Sequence, residues 1–292
     1  MLDFLNGEFA WRLMRNRGRT RAMVSLLLAK LYYHRLQKFI KGDWTPPFGP
    51  NASAGVAVSL TSWKPRLESL PLVLTGLLLQ KLRPKRIFVW LTPEDLKFLD
   101  EGVRERFTAE GVDFRPCENF GPHKKWLPLV REGWNEPFVI CDDDIFYPSG
   151  WLENLIAEDR DDAYVGTRAH RMTLFGDELA GYESWARDIA WSGEASEFYF
   201  LTGCGGVVIH PERIGPDYRD WGKIQNACPK ADDIWLKAAH LDAGIRVYKT
   251  RFSFPCLEVP GTGESALLTG NVNSRGNDIQ MQVLRKLMCS KL

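Results

Sequence analysis

Two runs of aspartate contain the side chains of this sequence that are best suited to chemistry. Asp142–Asp144 directly follows the apolar stretch Pro137–Cys141, and Asp232–Asp233 lies about ninety residues further along the chain. Carboxylates this close raise one another's pKa unless a cation or hydrogen bonds compensate. Mg²⁺ or Mn²⁺ would supply that cation, because both prefer oxygen ligands and share them with phosphates. The triplet therefore predicts a metal site.

Each run also has a simpler interpretation. In an extended stretch Asp142 and Asp144 point to one side, which suits a shared ligand, but the triplet could equally be an acidic surface turn. It could also cap a helix over residues 147–157, for which Ser149 is the nearer cap. Asp232 or Asp233 could cap the helix predicted after them, because carboxylates favour the positive end of a helix. From these residues alone, both interpretations stand.

Short apolar strands alternate with helical stretches from residue 55 onward, which predicts an α/β fold with a mostly parallel sheet. The predicted strands are Gly55–Leu60, Arg86–Leu91, Val112–Arg115, Pro137–Cys141, Val207–His210 and Ile245–Lys249. The predicted helices are Arg66–Lys81, Pro93–Phe107, Lys124–Gly133 and Ala231–Gly244. Ligands of such sheets bind outside the carboxyl ends of the strands. The triplet follows a strand and therefore falls at that edge.

Five short motifs occur in the order and spacing of one enzyme family. They are Ser59-Leu60-Thr61-Ser62-Trp63 with Arg66, Gly121-Pro122-His123-Lys124-Lys125, Asp142-Asp143-Asp144-Ile145, Gly203-Cys204-Gly205-Gly206 and Ala231-Asp232-Asp233-Ile234-Trp235. Over roughly residues 55–250 this set resembles the GT-A glycosyltransferases of bacterial surface polysaccharides (capsule or O-antigen), with the triplet as their DxD motif. The resemblance implies a Rossmann-like GT-A fold, a mostly parallel sheet flanked by helices.

The resemblance also implies roles for the matched residues. Asp144 would ligate Mn²⁺ or Mg²⁺ directly, and Asp142 would bind the donor ribose or reach the metal through water. The donor-binding side chains would be Thr61, Arg66, Lys124, Lys125, Asp142 and Asp143. Thr61 and Arg66 would lie near the base and ribose, and Lys124 or Lys125 near the diphosphate, although a structural role for the lysines stays open.

On the acceptor side, the resemblance makes Asp233 the catalytic base of an inverting enzyme, and Asp232 would hold the acceptor or orient the base. The implied reaction moves one sugar from a nucleotide-sugar, a UDP-sugar by default, to a glycan or lipid-linked glycan acceptor. A retaining transferase of the same fold, a metal-dependent phosphodiesterase or nucleotidyltransferase, and a non-catalytic sugar- or membrane-binding protein are the alternatives. The late histidines His210 and His240 stand in no matching metal motif, and a processive Q-x-x-R-W motif has no convincing match.

The N-terminal segment differs in charge from the rest of the chain. Residues 1–43 carry nine Arg or Lys against three acidic residues, and roughly residues 8–40 predict a basic amphipathic helix. Its apolar stretch is short of the about 20 residues that a membrane span needs. The helix could lie on an anionic membrane surface or pack on its own domain. We expect a linker over 44–54 and one catalytic domain over 55–292, with a nucleotide-sugar half to about 150 and an acceptor half after it.

Composition narrows the remaining classes. A formal net charge of +1 gives no support for a nucleic-acid partner. Six cysteines without CxxC spacing indicate a reducing compartment, and we expect a cytoplasmic protein, peripheral on the inner face of the membrane if the helix binds there. Gly203–Gly206 predicts either a close approach of the backbone to a sugar or a tight turn. Four aromatic residues could stack on an acceptor sugar but are more typical of a core: Trp185, Trp191, Tyr199 and Trp221. We expect no catalytic role for His123 or His170.

Overall fold

The computed structural model of the chain describes residues 19–41, 55–262 and 280–289. In these ranges the α-helices, α1 to α9, are Arg19–Lys41, Leu70–Leu78, Pro93–Leu96, Glu101–Ala109, Leu127–Arg131, Trp151–Ile156, Trp221–Ala227, Asp232–Asp242 and Gln282–Cys289. The strands, β1 to β13, are Ala57–Thr61, Arg86–Leu91, Val112–Pro116, Phe138–Ile140, Ile145–Phe146, Ala163–Gly166, Ala169–Arg171, Leu174–Phe175, Glu178–Leu179, Tyr199–Leu201, Val207–Ile209, Arg246–Lys249 and Leu257–Glu258. The predicted linker and the first residues of the predicted basic helix lie outside the described residues.

Seven strands form the central sheet, in the order β12-β6-β11-β4-β1-β2-β3. Every neighbouring pair in it is parallel except the two that involve β11, which runs antiparallel to β4 and β6. The prediction of an α/β fold with a mostly parallel sheet flanked by helices is therefore confirmed. Strand order reverses between β1 and β4, where the chain leaves one half of the sheet for the other, and open α/β sheets place their ligands at such a point.

The direction of β11 decides which loops meet at the carboxyl edge of the sheet, where the parallel strands end. The parallel strands β1, β4 and β6 end there, and an antiparallel strand must begin where they end. The turn that precedes β11, a 3-10 turn over Gly203–Gly205, therefore comes to the same edge as the residues that follow β4.

Residues 167–206 form an excursion whose two ends lie side by side on the sheet, and in its interior Ser196 forms a β-bridge with Val247 of β12. Gly166 of β6 pairs with Val207 of β11, and the amide of Thr167 donates to the carbonyl oxygen of Gly206 at 3.3 Å. Within the excursion β7 and β10 pair with each other. We call residues 167–206 the excursion.

Buried side chains cover both faces of the sheet, because successive residues of a strand point to opposite faces. Val58 and Leu60 belong to one cluster, which includes the buried residues of α1, α2 and α6. Ala57, Phe88 and Trp90 belong to the other, which includes those of α5 and α8. The two layers hold the strand ends in fixed positions.

Three predicted helices are shorter than their hydrophobic patterns suggested, each for a local reason. Pro71 lies in the first turn of α2, so the helix begins at Leu70 and residues 64–66 form a 3-10 turn. Asp100 accepts a hydrogen bond from the amide of Val103 and starts α4, so the helix predicted from Pro93 is broken into α3 and α4. Pro128 restricts the start of α5, and Gly121–Lys125 is a 3-10 turn rather than a helix.

Helix α1 packs on the domain through one face. Ala29, Tyr32 and Leu36 are buried in the first cluster, and the Tyr32 hydroxyl donates to the carbonyl oxygen of Tyr147 at 3.1 Å. The packing interpretation of the basic segment therefore holds for this face. No helix among the described residues is long and apolar enough to cross a membrane.

Candidate active site

A cavity of about 650 Å³ opens at the carboxyl edge of the sheet. All the site residues that the sequence predicts line it: Thr61, Arg66, Lys124, Lys125, Asp142, Asp143, Asp144, Asp232 and Asp233. The two aspartate runs, ninety residues apart in sequence, therefore face one space. Their individual roles stay predictions, but the geometry distinguishes what each side chain contacts.

Asp143 is the most firmly held carboxylate of the triplet. It is 4 % exposed, and its oxygens accept from the Ser62 hydroxyl and from the Arg66 guanidinium, both at 2.6 Å. Arg66 also pairs with Asp144 at 3.0 Å. Arg66 therefore lies beneath the triplet as its counter-charge, and Ser62, from the loop after β1, joins the triplet to the neighbouring strand.

Asp144 is a partly buried carboxylate whose neighbours leave an excess of negative charge around it. Burial, together with the nearby carboxylates of Asp142 and Asp143, raises the pKa of Asp144 to about 8, although Arg66 acts to lower it. Glu258 of β13 adds a further negative charge to this end of the cavity. The triplet does not cap a helix, because α6 begins after Gly150 without a side-chain cap, so the alternative that involved Ser149 was wrong.

Lys125 joins the two aspartate runs. Its ammonium nitrogen lies 2.8 Å from Asp142 Oδ1 and 2.9 Å from Asp232 Oδ2. Burial alone would lower the pKa of Lys125, but the carboxylates of Asp142, Asp232 and Asp233 raise it well above the ordinary value. The lysine is therefore a permanent cation between the two aspartate runs, in contact with one carboxylate of each.

Asp232 and Asp233 are the first two residues of α8, and neither is its cap. The cap position is Ala231, which makes no side-chain hydrogen bond, so the capping alternative was wrong. Asp233 Oδ1 instead accepts from the backbone amide of Gly203 at 3.0 Å, across from the turn before β11. The helix start provides a favourable field for both carboxylates, while their contacts are to other elements.

Gly203 marks the point where the two runs meet. A Cβ atom added there would lie 3.1 Å from Lys125 Nζ, 3.2 Å from Asp233 Oδ1 and 3.4 Å from Asp142 Oδ1. Three charged groups thus surround one backbone position, and a side chain larger than that of glycine would crowd them. The tight-turn interpretation of the Gly-rich segment holds, since Gly206, with φ +87°, turns closely against Trp151, and an approach of the backbone to a sugar stays a prediction.

Asp233 has the properties of a strong carboxylate base. Burial and the adjacent Asp232 raise its pKa well above the ordinary value, against the lowering effect of Lys125. A carboxylate with a raised pKa is a better proton acceptor, provided that the pH is high enough to ionise it. The hydrogen bond from Gly203 fixes one oxygen of the side chain.

The two remaining predicted donor residues lie on the other side of the cavity. The Thr61 hydroxyl donates to the carbonyl oxygen of Trp90 at 2.8 Å, at the ends of β1 and β2. Lys124 reaches the carbonyl oxygen of Ser62 at 3.3 Å, and burial lowers its pKa. Both side chains therefore have structural contacts in addition to a place in the cavity wall.

The wall contributed by the excursion contains residues that sequence reasoning missed. Arg168, Tyr182, Asp188 and Phe200 line the cavity, whereas none of the four aromatic residues singled out as candidate sugar platforms does. Arg168 follows β6 by two residues, so the rule that sites lie at strand ends could have found it. Asp188, with φ +50°, adopts the left-handed conformation that aspartate tolerates better than most residues. His123 and His170 are buried, and burial lowers the pKa of His123 to about 4 and that of His170 to about 3.

The triplet fits a divalent cation only in combination with a ligand. Among the described residues no three His, Cys, Asp or Glu side chains converge to hold a metal by themselves. Mg²⁺, however, is usually bound by one or two carboxylates plus substrate phosphates. Asp144, directly, and Asp142, through water, would form such a partial set, and the excess of negative charge around Asp144 is suited to a cation.

Comparisons with known proteins find only distant structural likeness. No protein-family profile matches the chain, and no curated protein sequence matches it. A mannosyltransferase from Pyrobaculum calidifontis, solved with GDP-Man and Mn²⁺, is 14% identical with a TM-score of 0.46, over 100% of this chain and 81% of that one. The inositol-1-phosphate CTP transferase from T. maritima is 11% identical with a TM-score of 0.42, over 80% and 97%. A UTP-bound UGPase from Acinetobacter baumannii is 11% identical with a TM-score of 0.36, over 80% and 98%. Likeness at this level assigns no activity to the chain.

Proposed function

We propose that this chain is a metal-dependent glycosyltransferase of the GT-A type, which moves one sugar from a nucleotide-sugar donor to a hydroxyl of a glycan acceptor. The observation that carries the proposal is that two acidic sites face one cavity. Lys125 contacts a carboxylate of each site, and Asp142 and Asp233 both lie close to Gly203. One site suits a cation and a diphosphate, and the other suits a proton acceptor. Glycosyl transfer needs both, within reach of the same sugar.

The proposed chemistry is a single displacement. Asp233 takes the proton of the acceptor hydroxyl, and the acceptor oxygen forms a bond to the anomeric carbon of the donor sugar. The bond from that carbon to the nucleoside diphosphate breaks on the opposite face, so the configuration inverts. The amide of Gly203 keeps the Asp233 carboxylate in position, and the charge of Lys125 favours its ionised form. Asp144 would hold a divalent cation, whose charge would stabilise the leaving diphosphate.

The test is release of nucleoside diphosphate by the purified chain, with a panel of nucleotide-sugars, Mn²⁺ and a panel of glycan acceptors. We expect release that requires the acceptor and that EDTA abolishes. Asp144→Asn should lose it, while Asp162→Asn, an exposed carboxylate outside the cavity, should keep it. Activity in excess EDTA would contradict the metal, and turnover of nucleotides without a sugar acceptor would instead indicate a phosphodiesterase or nucleotidyltransferase. Retention of the anomeric configuration in the product would contradict the role of Asp233.

We further propose that the acceptor is lipid-linked and that α1 holds the enzyme on an anionic membrane surface in the cytoplasm. The outer face of α1 supports this. Leu27 and Leu31, one turn apart, are each 59 % exposed. Basic side chains surround them, and the 23-residue helix contains no acidic residue. Among the residues of α1 whose exposure the structure describes, the exposed Lys and Arg residues are Lys30, Arg35, Lys38 and Lys41.

The two faces of α1 allow a matched test. The double variant Leu27→Ser with Leu31→Ser changes only exposed side chains, so it should keep its melting temperature and lose binding to vesicles that contain phosphatidylserine. Leu36→Ala, on the buried face, should keep vesicle binding and lose about 2–5 kcal/mol of stability. Binding of the unaltered chain should weaken as salt increases. Equal vesicle binding by the double variant and the unaltered chain would contradict the membrane proposal.

A further inference from the structure

Two cysteines from distant parts of the chain share one wall of the cavity. Cys204 lies in the turn before β11, and Cys256 directly precedes β13. The Cys256 thiol lies 3.6 Å from the carbonyl oxygen of Cys204, and both residues line the cavity. The sequence gives no sign of this pair, because its members are separated by 52 positions.

The surroundings of the two sulfur atoms make them unequal. Arg168 Nη1 and Thr202 Oγ1 each lie 3.5 Å from the Cys204 sulfur. The hydrogen bond from the Cys256 thiol, together with the charge of Arg168, lowers the pKa of Cys204 to about 6, although burial acts to raise it. The same bond and burial raise the pKa of Cys256 well above the ordinary value. Cys204 is therefore the member of the pair favoured as a thiolate, and Cys256 is the member favoured as a thiol.

The three other cysteines whose side chains the structure describes have no cysteine partner. Burial raises the pKa of Cys117 to about 12 and that of Cys141 and Cys228 above the ordinary value. None of these three lines the cavity. Thiolate character and access together decide which cysteines a peroxide oxidises first. Among the cysteines whose side chains the structure describes, Cys204 is therefore the one that we expect to react first.

We propose that Cys204 and Cys256 form a reversible disulfide within the cavity, with a peroxide as the oxidant. The Cys204 thiolate attacks one peroxide oxygen, the O–O bond breaks, and the released hydroxide takes a proton to become water. The Cys256 sulfur then attacks the oxidised Cys204 sulfur, the S–O bond breaks, and a second water leaves. Two electrons and two thiol hydrogens pass to the peroxide, and a dithiol reductant reverses the change.

The disulfide would act on the carboxylate that faces the acceptor. An S–S bond of about 2.0 Å draws the two sulfur atoms closer than any contact between thiols. The far side of the turn is fixed, because Trp151 and Thr167 both donate to the carbonyl oxygen of Gly205. Movement is therefore expected at Gly203, whose amide holds Asp233. A small displacement of a reacting group costs a large factor in rate, so oxidation should lower transfer about tenfold or more.

The experiment treats the full-length chain with hydrogen peroxide, removes the oxidant and maps peptides by mass spectrometry without reduction. We expect one dominant linked peptide, Cys204 with Cys256, and its disappearance after dithiothreitol. Cys256→Ser should give no linked peptide and should leave Cys204 as a sulfenic acid that dimedone traps. Cys117→Ser should behave as the unaltered chain. Absence of the linked peptide, or a mixture of cysteine pairs, would overturn the proposal.

Two further measurements separate the disulfide from the catalytic proposal. Iodoacetamide should alkylate Cys204 at least about tenfold faster than Cys117 at pH 7, because thiolates are the reactive form. The peptide map and the alkylation rates need no substrate, so they remain informative if the chain proves not to be a glycosyltransferase. If transfer is measurable, its loss on oxidation should be reversed by dithiothreitol in the unaltered chain and should be absent in Cys256→Ser. Full transfer in the disulfide form would overturn the link between the pair and the site.

Discussion

The two aspartate runs of the cavity solve the same electrostatic problem in different ways. The triplet follows a buried strand and is stabilised by the charge of Arg66 and a hydrogen bond from Ser62, two side chains of the loop after β1. The pair Asp232–Asp233 begins a helix and is neutralised by Lys125 and a backbone amide. In each run one carboxylate is held deep in the protein, Asp143 or Asp232, and a less buried one lies next to it. In both runs, therefore, one aspartate is fixed by its contacts within the protein, and its neighbour in sequence faces the cavity and is available for chemistry.

The strongest test of this division is Asp233→Asn. Asparagine keeps an oxygen that can accept from Gly203, but it cannot take a proton, so transfer should fall by a factor of roughly 10² to 10⁴. The variant should be at least about as stable as the unaltered chain, because asparagine keeps the size of the side chain and burial disfavours the ionised aspartate. Transfer rates and urea unfolding measure the two effects. Near-normal transfer would remove Asp233 from the mechanism.

The second test removes the cation that joins the runs. Lys125→Met keeps the length of the side chain but leaves Asp142 and Asp232 without their partner, which should cost about 3–5 kcal/mol of stability. Denaturant titration measures the loss. Lys85→Met, which breaks an exposed ion pair with Glu136, is the control and should cost about 1 kcal/mol or less. Equal losses in the two variants would mean that Lys125 does not hold the runs together.

The third test compares two neighbours within the triplet. Asp143→Asn weakens the bonds from Arg66 and Ser62 and should cost about 2–3 kcal/mol, because hydrogen bonds to charged groups are the strong ones. Asp144→Asn should cost less stability and should abolish the rise of melting temperature that Mn²⁺ with a nucleotide-sugar produces. Calorimetry on both variants, with and without the ligands, measures the two effects. If Asp143→Asn instead kept its stability and lost only ligand binding, Asp143 would be the ligand-binding carboxylate and Asp144 the structural one.

The smallest expected effect is a shift with pH. Since the pKa of Asp233 is raised and its ionised form is the base, kcat/KM should fall tenfold per unit as pH decreases through that pKa, which lies well above the ordinary range of aspartate. The same raised pKa stabilises the fold at low pH, and this contribution of about 1.4 kcal/mol per unit is lost as pH rises through the folded-state value. An acidic limb near pH 4 would contradict the environment described for Asp233.

The strands and the candidate site residues could largely be predicted from the sequence, because strand ends and the order of short motifs are local properties. Arg86–Leu91 is a strand with the predicted bounds, and every candidate site residue lines one cavity. Helix limits were less predictable, since Pro71, Asp100 and Pro128 override the hydrophobic pattern.

Contacts between distant charges could not be predicted at all. Nothing local distinguishes Lys125, which bridges the runs, from Lys124, which contacts the backbone of Ser62. Likewise the sequence does not reveal that Asp143 is the buried member of its triplet, or that Cys256 reaches Cys204. These facts depend on how loops from different strands meet, which the spacing of residues along the chain does not record.

The excursion over residues 167–206 has a consequence for how this fold can change. Because its two ends are hydrogen-bonded neighbours at Gly166 and Val207, a change of length within it need not move β6 or β11, although Ser196 also pairs with Val247 of β12. Loops closed in this way tolerate insertions at little entropic cost. The excursion supplies Arg168, Tyr182 and Asp188 to the cavity, whereas the triplet and the helix of Asp233 come from outside it. Grafting the segment between relatives is therefore a practical route to chimeras in which one wall of the cavity is inherited separately from the reacting groups.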